Sequence, residues 1–200
     1  MHGGGCGVGA RVTLGGIYRG PLRTIGPEQL SACEASGRYV AEQKFDGEWC
    51  CLSVRGGAIV SATSRSGLDL DSAWWVSDLR LGPGLLEAEI HGESMECGRI
   101  HVWDLVSCGG HDLRAVPLED RRATLERLHA AILPGTREDL PLVERRHTGF
   151  ARWYAEILER GGEGLILKAR GSSLATGRQD GKLDHWLKCK PRSVRAHRPQ

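Results

Sequence analysis

The sequence predicts an α+β fold of antiparallel β-sheets flanked by helices, and three observations carry that prediction. Short β-rich stretches are separated by glycine-containing turns, other stretches carry apolar residues at helical spacing, and no repeat or linker-like shift divides residues 37 to 190. Of the 200 residues, 40% are hydrophobic and 26% charged, which suffices for one medium-sized core and a well-solvated surface.

The elements follow in order. The segment to about Gly26 is rich in glycine and lacks periodicity, so residues 1–26 read as a loosely ordered arm. Its GGGCGVGA run has neither the preceding strand nor the following helix that a phosphate-cradling loop requires. Pro27 to Ser36 predicts a short helix, with Pro at its start, Leu30 and Cys33 on one face and Gly37 past its end. Tyr39 to Lys44, Trp49 to Arg55 and Ala58 to Ser64 predict an antiparallel meander with hairpin turns at Asp46-Gly47 and Gly56-Gly57. Leu70 to Leu81 predicts a helix covering that sheet, and Leu85 to His91 and Arg99 to Val106 return as strands. Leu118, Leu125, Leu128 and Ile132 fall at helical spacing, so Leu118 to Leu133 is the clearest helix, stopped by Pro134-Gly135. Pro141 to Arg146 predicts a short strand, Phe150 to Arg160 an amphipathic helix ended by Gly161-Gly162, and Leu165 to Ala169 a buried strand. A last strand runs from Trp186 to Lys190, so residues 27–191 form one domain and 192–200 a short basic tail.

Composition excludes some functions. No apolar run approaches the roughly 20 residues of a membrane-spanning helix. Met1 to Ala10 lacks the features of a secretory leader, and seven cysteines without a Cys-x-x-Cys pair suit reduced thiols, so a cytoplasmic location is expected. The net charge of +2 permits nucleic-acid contact without demanding it.

The lysines stand out against this background. Only five of the 27 basic residues are Lys, at 44, 168, 182, 188 and 190, and a lysine, unlike an arginine, can act as a neutral nucleophile. Lys44 ends a predicted strand just before the Asp46-Gly47 turn, and in the last strand Lys188 and Lys190 alternate with Leu187 and Cys189. Two amines on one face suit a phosphate. Glu87-Ala88-Glu89 has the same period and Glu163 opens a buried strand, where carboxylates can meet Mg²⁺ or ribose hydroxyls.

From about residue 38 to 191 the ordered set resembles the nucleotidyltransferase motifs of ATP-dependent DNA ligases, RNA ligases and mRNA capping enzymes, most of all the DNA ligases. Lys44-Phe45-Asp46-Gly47, Ser64-Arg65-Ser66-Gly67, Glu87-Ala88-Glu89, Trp103-Asp104, Glu163 to Lys168 and Lys188 to Lys190 match six motifs in order. The resemblance implies a ligase-type nucleotidyltransferase, an ATP-grasp-like architecture, that uses ATP and Mg²⁺. It implies Lys44 as the nucleophile that becomes lysyl-AMP, and Lys188 and Lys190 as the cations that steady the α-phosphate. It further places Glu89 and Glu163 at the ribose or Mg²⁺, Trp103 against the adenine, Glu42 near its exocyclic amine, and Arg65 on the 5′-phosphate of a nick. Asp46 orients the lysine or makes the turn, and for Glu87, Asp104 and Lys168 a structural role weighs as much as a direct one.

The chain departs from the pattern in places. Trp49 stands where the family usually carries Arg, and Ala88 where it carries Gly. Ten residues follow Lys190, so an OB domain is not expected, and the expected partners are nicked DNA, or RNA ends, and a separate OB-fold or DNA-binding protein. RNA joining, cap guanylylation and a ligase-like binding module remain the alternatives. Cys97, His101, Cys108 and His111 have no standard zinc spacing and read as scattered side chains, and Trp74, Trp75 and Trp153 read as packing residues.

Overall fold

Strands that alternate polar and apolar side chains need two environments, and this chain supplies them with two five-stranded sheets. The computed structural model describes residues 22–64, 67–70, 80–82, 87–95, 98–174 and 183–191. The first sheet joins β1 (Leu22–Ile25), β10 (Leu183–Cys189), β9 (Gly164–Ala169), β2 (Tyr39–Lys44) and β8 (Arg145–Arg146) in that order. Its pairings are antiparallel except at the β1–β10 edge. The second sheet is antiparallel throughout, in the order β4 (Ala58–Ser64), β3 (Glu48–Arg55), β5 (Glu87–Met95), β6 (Arg99–Cys108) and β7 (His111–Asp112).

Each sheet has its own helical cover. The 3₁₀ turn Pro27–Gln29 leads into α1 (Leu30–Ala35), which packs with α4 (Phe150–Glu159) on the first sheet. Phe150, Trp153, Tyr154 and Ile157 of α4 are buried at helical spacing against Ala41, Leu165, Leu167 and Leu187. The Glu34 carboxylate of α1 accepts hydrogen bonds from the Gly149 and Phe150 amides at 2.8 and 2.9 Å, capping α4 from another helix. On the second sheet, α2 (Leu118–Ala131) buries Leu125 among Leu52, Ile90, Val102 and Leu105, with Ile132 and Leu140 beside it. The short helix α3 (Pro134–Asp139) lies between those last two.

Four expectations change. β2 does not form a meander with β3: it pairs with β8 and β9 in the first sheet, so Phe45 to Gly47 carries the chain between sheets. A hairpin-type dipeptide signals a turn but not which strands the turn joins. The Gly56-Gly57 hairpin forms as expected, with φ of 57° and 76°. Leu22–Ile25, within the expected arm, adds a strand to the edge of the first sheet. Pro134 opens α3 at its first turn, a position where a missing amide costs nothing, and the strand expected over Pro141 to Arg146 shrinks to Arg145–Arg146. The helix expected over Leu70 to Leu81 lies, for residues 71–79, outside the described residues. Among the described residues no helix is long and apolar enough to cross a membrane.

With both outer faces covered, the polar faces of the sheets meet. The Lys168 ammonium of β9 lies 4.4 Å from the Trp103 ring centroid of β6, and Phe45 stacks on His101 of β6 at 3.8 Å and 21°. The β5–β6 register slips by one residue at Trp103 and again at Val106. The first bulge lets consecutive residues, Trp103 and Asp104, both serve the layer between the sheets. Asp104 accepts from the Arg121 Nε and Nη2 at 2.8 Å each and from the Leu105 amide at 2.8 Å, and Arg121 also reaches the carbonyls of Val116 and Ser172. Burial raises the Asp104 carboxyl, but these donors outweigh it and hold the group below its ordinary range.

Asp104→Asn is expected to cost about 3–5 kcal/mol, because it strands a fully buried guanidinium. Since the folded value is depressed, the carboxylate's contribution is whole above an unfolded value of about 3.9 and is lost as pH falls through the folded one. Urea titrations at pH 7 and pH 3 check both: the stability gap between wild type and variant should shrink at pH 3.

Candidate active site

Three adjacent strands, β2, β9 and β10, assemble the cationic end of the layer. Lys44 closes β2, and its antiparallel partner is Gly164, so Glu163 arrives beside the amine through backbone register. The Lys44 Nζ forms an ion pair with the Glu163 carboxylate and also donates to the Phe45 carbonyl at 3.3 Å. Both side chains stay partly open, at 22% and 26% exposure, so an incoming group can reach them. Lys188 of β10 is half-buried and Lys190, the residue after the strand, is exposed, while Leu187 and Cys189 enter the core as the alternation predicts. Gly164 makes this approach possible: its φ is +132°, and a Cβ there would run into the Cys189 carbonyl beside Lys190. Asp46 is exposed in the connection between the sheets.

Two residues further into β2 the character changes. Glu42 is 2% exposed, with Oε1 accepting from the Arg145 Nε at 3.0 Å and Nη2 at 2.6 Å, and Oε2 pairing with the Lys168 Nζ at 2.6 Å. Burial pushes the Glu42 carboxyl up, but Lys168 and Arg145 outweigh it and keep it ionised. Lys168 is pushed below the ordinary lysine range by burial, against the pull of Glu42 and Asp104. Its ammonium also rests over Trp186 at 4.3 Å, and Trp103 and Trp186 meet edge-on at 5.6 Å. One face of Trp103 is thus taken by Lys168, and a base stacking on that ring must use the other.

His91 completes this aromatic end. β5 alternation puts Glu89, His91 and Glu93 on the side opposite Ala88 and Ile90, which enter the core. The imidazole is fully buried, 4.8 Å from the Trp49 ring and 5.2 Å from Trp103, and neither nitrogen has a hydrogen-bond partner. Burial holds it neutral, with its pKa pushed down to about 4. Unpaired burial of such a polar group costs about 1–3 kcal/mol.

The remaining expected residues divide. Glu89 lies in β5, where burial raises its carboxyl, Arg114 opposes the rise and Asp112 and Glu87 add to it. Arg65 lies outside the described residues, as does Cys97 of the weighed zinc set; in that set, His101 stacks on Phe45 and His111 is exposed. Among the described residues no three His, Cys, Asp or Glu side chains form a preformed metal cage. Mg²⁺ takes one or two carboxylates together with substrate phosphates, and the accessible Glu163 carboxylate fits that mode. Sequence reasoning missed Arg145, Phe45 and His91; period-two reading of β5 signals His91, but nothing local links Arg145 to Glu42, 103 residues away.

The sequence matches no protein-family model and no curated protein. Solved structures match strongly. A mycobacterial DNA ligase D complexed with ATP and MES superposes with a TM-score of 0.58 at 22% identity, over 78% of this chain and 55% of that one. A Lig E DNA ligase gives 0.55 at 18% identity, over 78% of this chain and 62% of that one, and the Chlorella virus DNA ligase-adenylate gives 0.58 at 17%, over 85% and 66%. The chain thus spans about half to two thirds of the structures it matches. Two facing, largely antiparallel sheets, each backed by helices, give this chain the fold of the nucleotidyltransferase domain of ATP-dependent DNA ligases.

Proposed function

We propose that the chain is the adenylation core of an ATP-dependent polynucleotide ligase, forming lysyl-AMP at Lys44 and passing AMP to the 5′-phosphate at a DNA nick. The observation that carries this reading is the Lys44–Glu163 pair beside Lys188 and Lys190, with an aromatic and acidic end two residues away along β2. Two strand residues span about 6.5 Å, which suits a base at Glu42 and Trp103 with its α-phosphate at Lys44.

Glu163 takes the ammonium proton and frees the lone pair of the Lys44 amine. That pair forms the bond to the α-phosphorus while the bond to the bridging oxygen breaks, and pyrophosphate leaves with the electrons. Lys188 and Lys190 meet the charge on the α-phosphate. An Mg²⁺ ion held by Glu163 and the phosphates would supply charge neutralisation there, and Glu89 is the second candidate ligand. In the second step a 5′-phosphate oxygen attacks the same phosphorus, the P–N bond breaks, and the amine of Lys44 is restored. Arg65 is proposed to hold that 5′-phosphate, and a separate OB-fold protein to complete the clamp on DNA. Ionised Glu42 only accepts hydrogen bonds, which favours the amino group of adenine over the oxo group of guanine.

Incubation of the purified chain with α-labelled ATP or GTP and Mg²⁺, followed by denaturing gel and mass analysis, tests the reading. A single AMP adduct at Lys44 is expected; label that persists in Lys44→Ala overturns it. Glu163→Ala and Lys188→Ala should each slow labelling at least about tenfold. Phe45→Ala, which removes the stack on His101 beside the nucleophile, should slow labelling by about tenfold with the fold retained by circular dichroism.

A further inference from the structure

Lys44 is the last residue of β2, and the chain that leaves it crosses to the other sheet before β3 begins at Glu48. Phe45, Asp46 and Gly47 belong to neither ladder, so no strand partner fixes the peptide that follows the nucleophile. That peptide matters, because the Phe45 carbonyl is the second acceptor of the Lys44 Nζ, at 3.3 Å, beside the Glu163 carboxylate. An amine aimed by two acceptors keeps its direction only if both acceptors keep theirs. Glu163 is placed by the register of β2 with β9, whereas the carbonyl depends on how Phe45 itself is held.

The holding contact is a ring from the other sheet. His101 of β6 stacks on Phe45 with 3.8 Å between ring centroids and 21° between planes. Its mount is rigid. On one edge of β6, His101 faces Glu93 and Val102 faces Gly92 in β5. On the other edge the Val102 amide donates to the Pro141 carbonyl at 2.8 Å, and the Val143 amide donates to the Val102 carbonyl at 2.9 Å. Gly92 permits the close fit, since a Cβ there would stand 3.1 Å from the His101 carbonyl oxygen and 2.5 Å from the Ile100 Cγ2. Burial, aided by the charge of Arg99, pushes the imidazole pKa down, so the ring stays neutral beside the lysines. A flat ring gives Phe45 a preferred plane, which an aliphatic cover of the same size does not.

We propose that His101 is a positioning residue for the nucleophile: by stacking on Phe45 it fixes the carbonyl that, together with Glu163, aims the Lys44 amine. The inference rests on the adenylation reading for the identity of the reaction. It goes beyond that reading in giving the second sheet a hold on a nucleophile carried by the first. Because His101 acts through Phe45 and not on the nucleotide, its loss falls on the rate of bond formation and spares ATP binding.

The experiment follows single-turnover lysyl-AMP formation against ATP concentration in the full chain. It compares wild type, His101→Ala, His101→Leu, His101→Phe, Phe45→Ala and the Phe45→Ala/His101→Ala double variant, with circular dichroism and thermal midpoints for each. His101→Ala is expected to lower the maximal rate about tenfold while half-saturating ATP stays within about twofold of wild type. His101→Leu, which keeps an apolar cover without a stacking plane, should lose as much, and His101→Phe should recover most of the rate. The double variant should be no more than about twofold slower than Phe45→Ala alone, because the second substitution removes a contact already lost. Losses that multiply to about a hundredfold in the double variant overturn the proposal. So does a His101→Leu protein that matches His101→Phe, a loss confined to half-saturation, or a wild-type rate in folded His101→Ala. If His101→Ala fails to fold, His101→Leu takes its place in the double variant under the same expectations. Wild type that acquires no AMP at Lys44 defeats the adenylation reading and this proposal with it, whereas labelled wild type beside unimpaired His101 variants defeats the proposal alone.

Discussion

The buried pairing of Glu42 with Lys168 and Arg145 is the interaction on which the layer between the sheets depends. Charges are buried only when paired, and here one carboxylate holds two cations from two different strands of its own sheet. Lys168 in turn lies over Trp103 of the opposite sheet, so the pair also ties the sheets together. A single apolar contact at this point would join the sheets without fixing direction. The charge set fixes it, because the ammonium must satisfy Glu42 and both indole rings at once.

The second buried pair does a different task. Asp104 and Arg121 connect β6 to the start of α2, and Arg121 reaches on to the carbonyl of Ser172 beyond β9. The outer helix, the second sheet and the loop after β9 are held at one point, directly behind Trp103 in sequence. The rigid deep end and the more open lysine end therefore differ in kind: one has every charge engaged and buried, the other keeps Lys44, Glu163, Lys188 and Lys190 within reach of solvent. Groups that must exchange protons and bonds need that access, whereas groups that orient a base gain from its absence.

Much of the architecture was legible in local pattern. The helix at α4 follows from apolar residues at helical spacing, and β10 follows from strict alternation that sends Leu187 and Cys189 inward and leaves Lys188 half-open. Lys44 and Glu163 were both singled out as sequence motifs, and their meeting reflects register between β2 and β9. Where local pattern misled, the cause was pairing: Asp46-Gly47 looks like a hairpin turn, yet β2 and β3 belong to different sheets, since partners are chosen by the whole core and not by the turn between them. The bulge at Trp103 likewise breaks the period of two that sequence reading assumes.

The sequence by itself determined most of the strands and the helices α1, α2 and α4, the two-faced character of the strands, and the identity and order of the lysines and carboxylates. Period and turn chemistry are properties of neighbouring residues, so they survive without the fold. Tertiary structure alone decided that Arg145 serves Glu42, that His91 is enclosed without a partner between Trp49 and Trp103, and that Phe45 bridges to His101. These contacts join residues from 56 to 103 positions apart, apart from the shorter steps around His91, and their partners are set by how two sheets pack face to face, a choice made by burial of the whole chain.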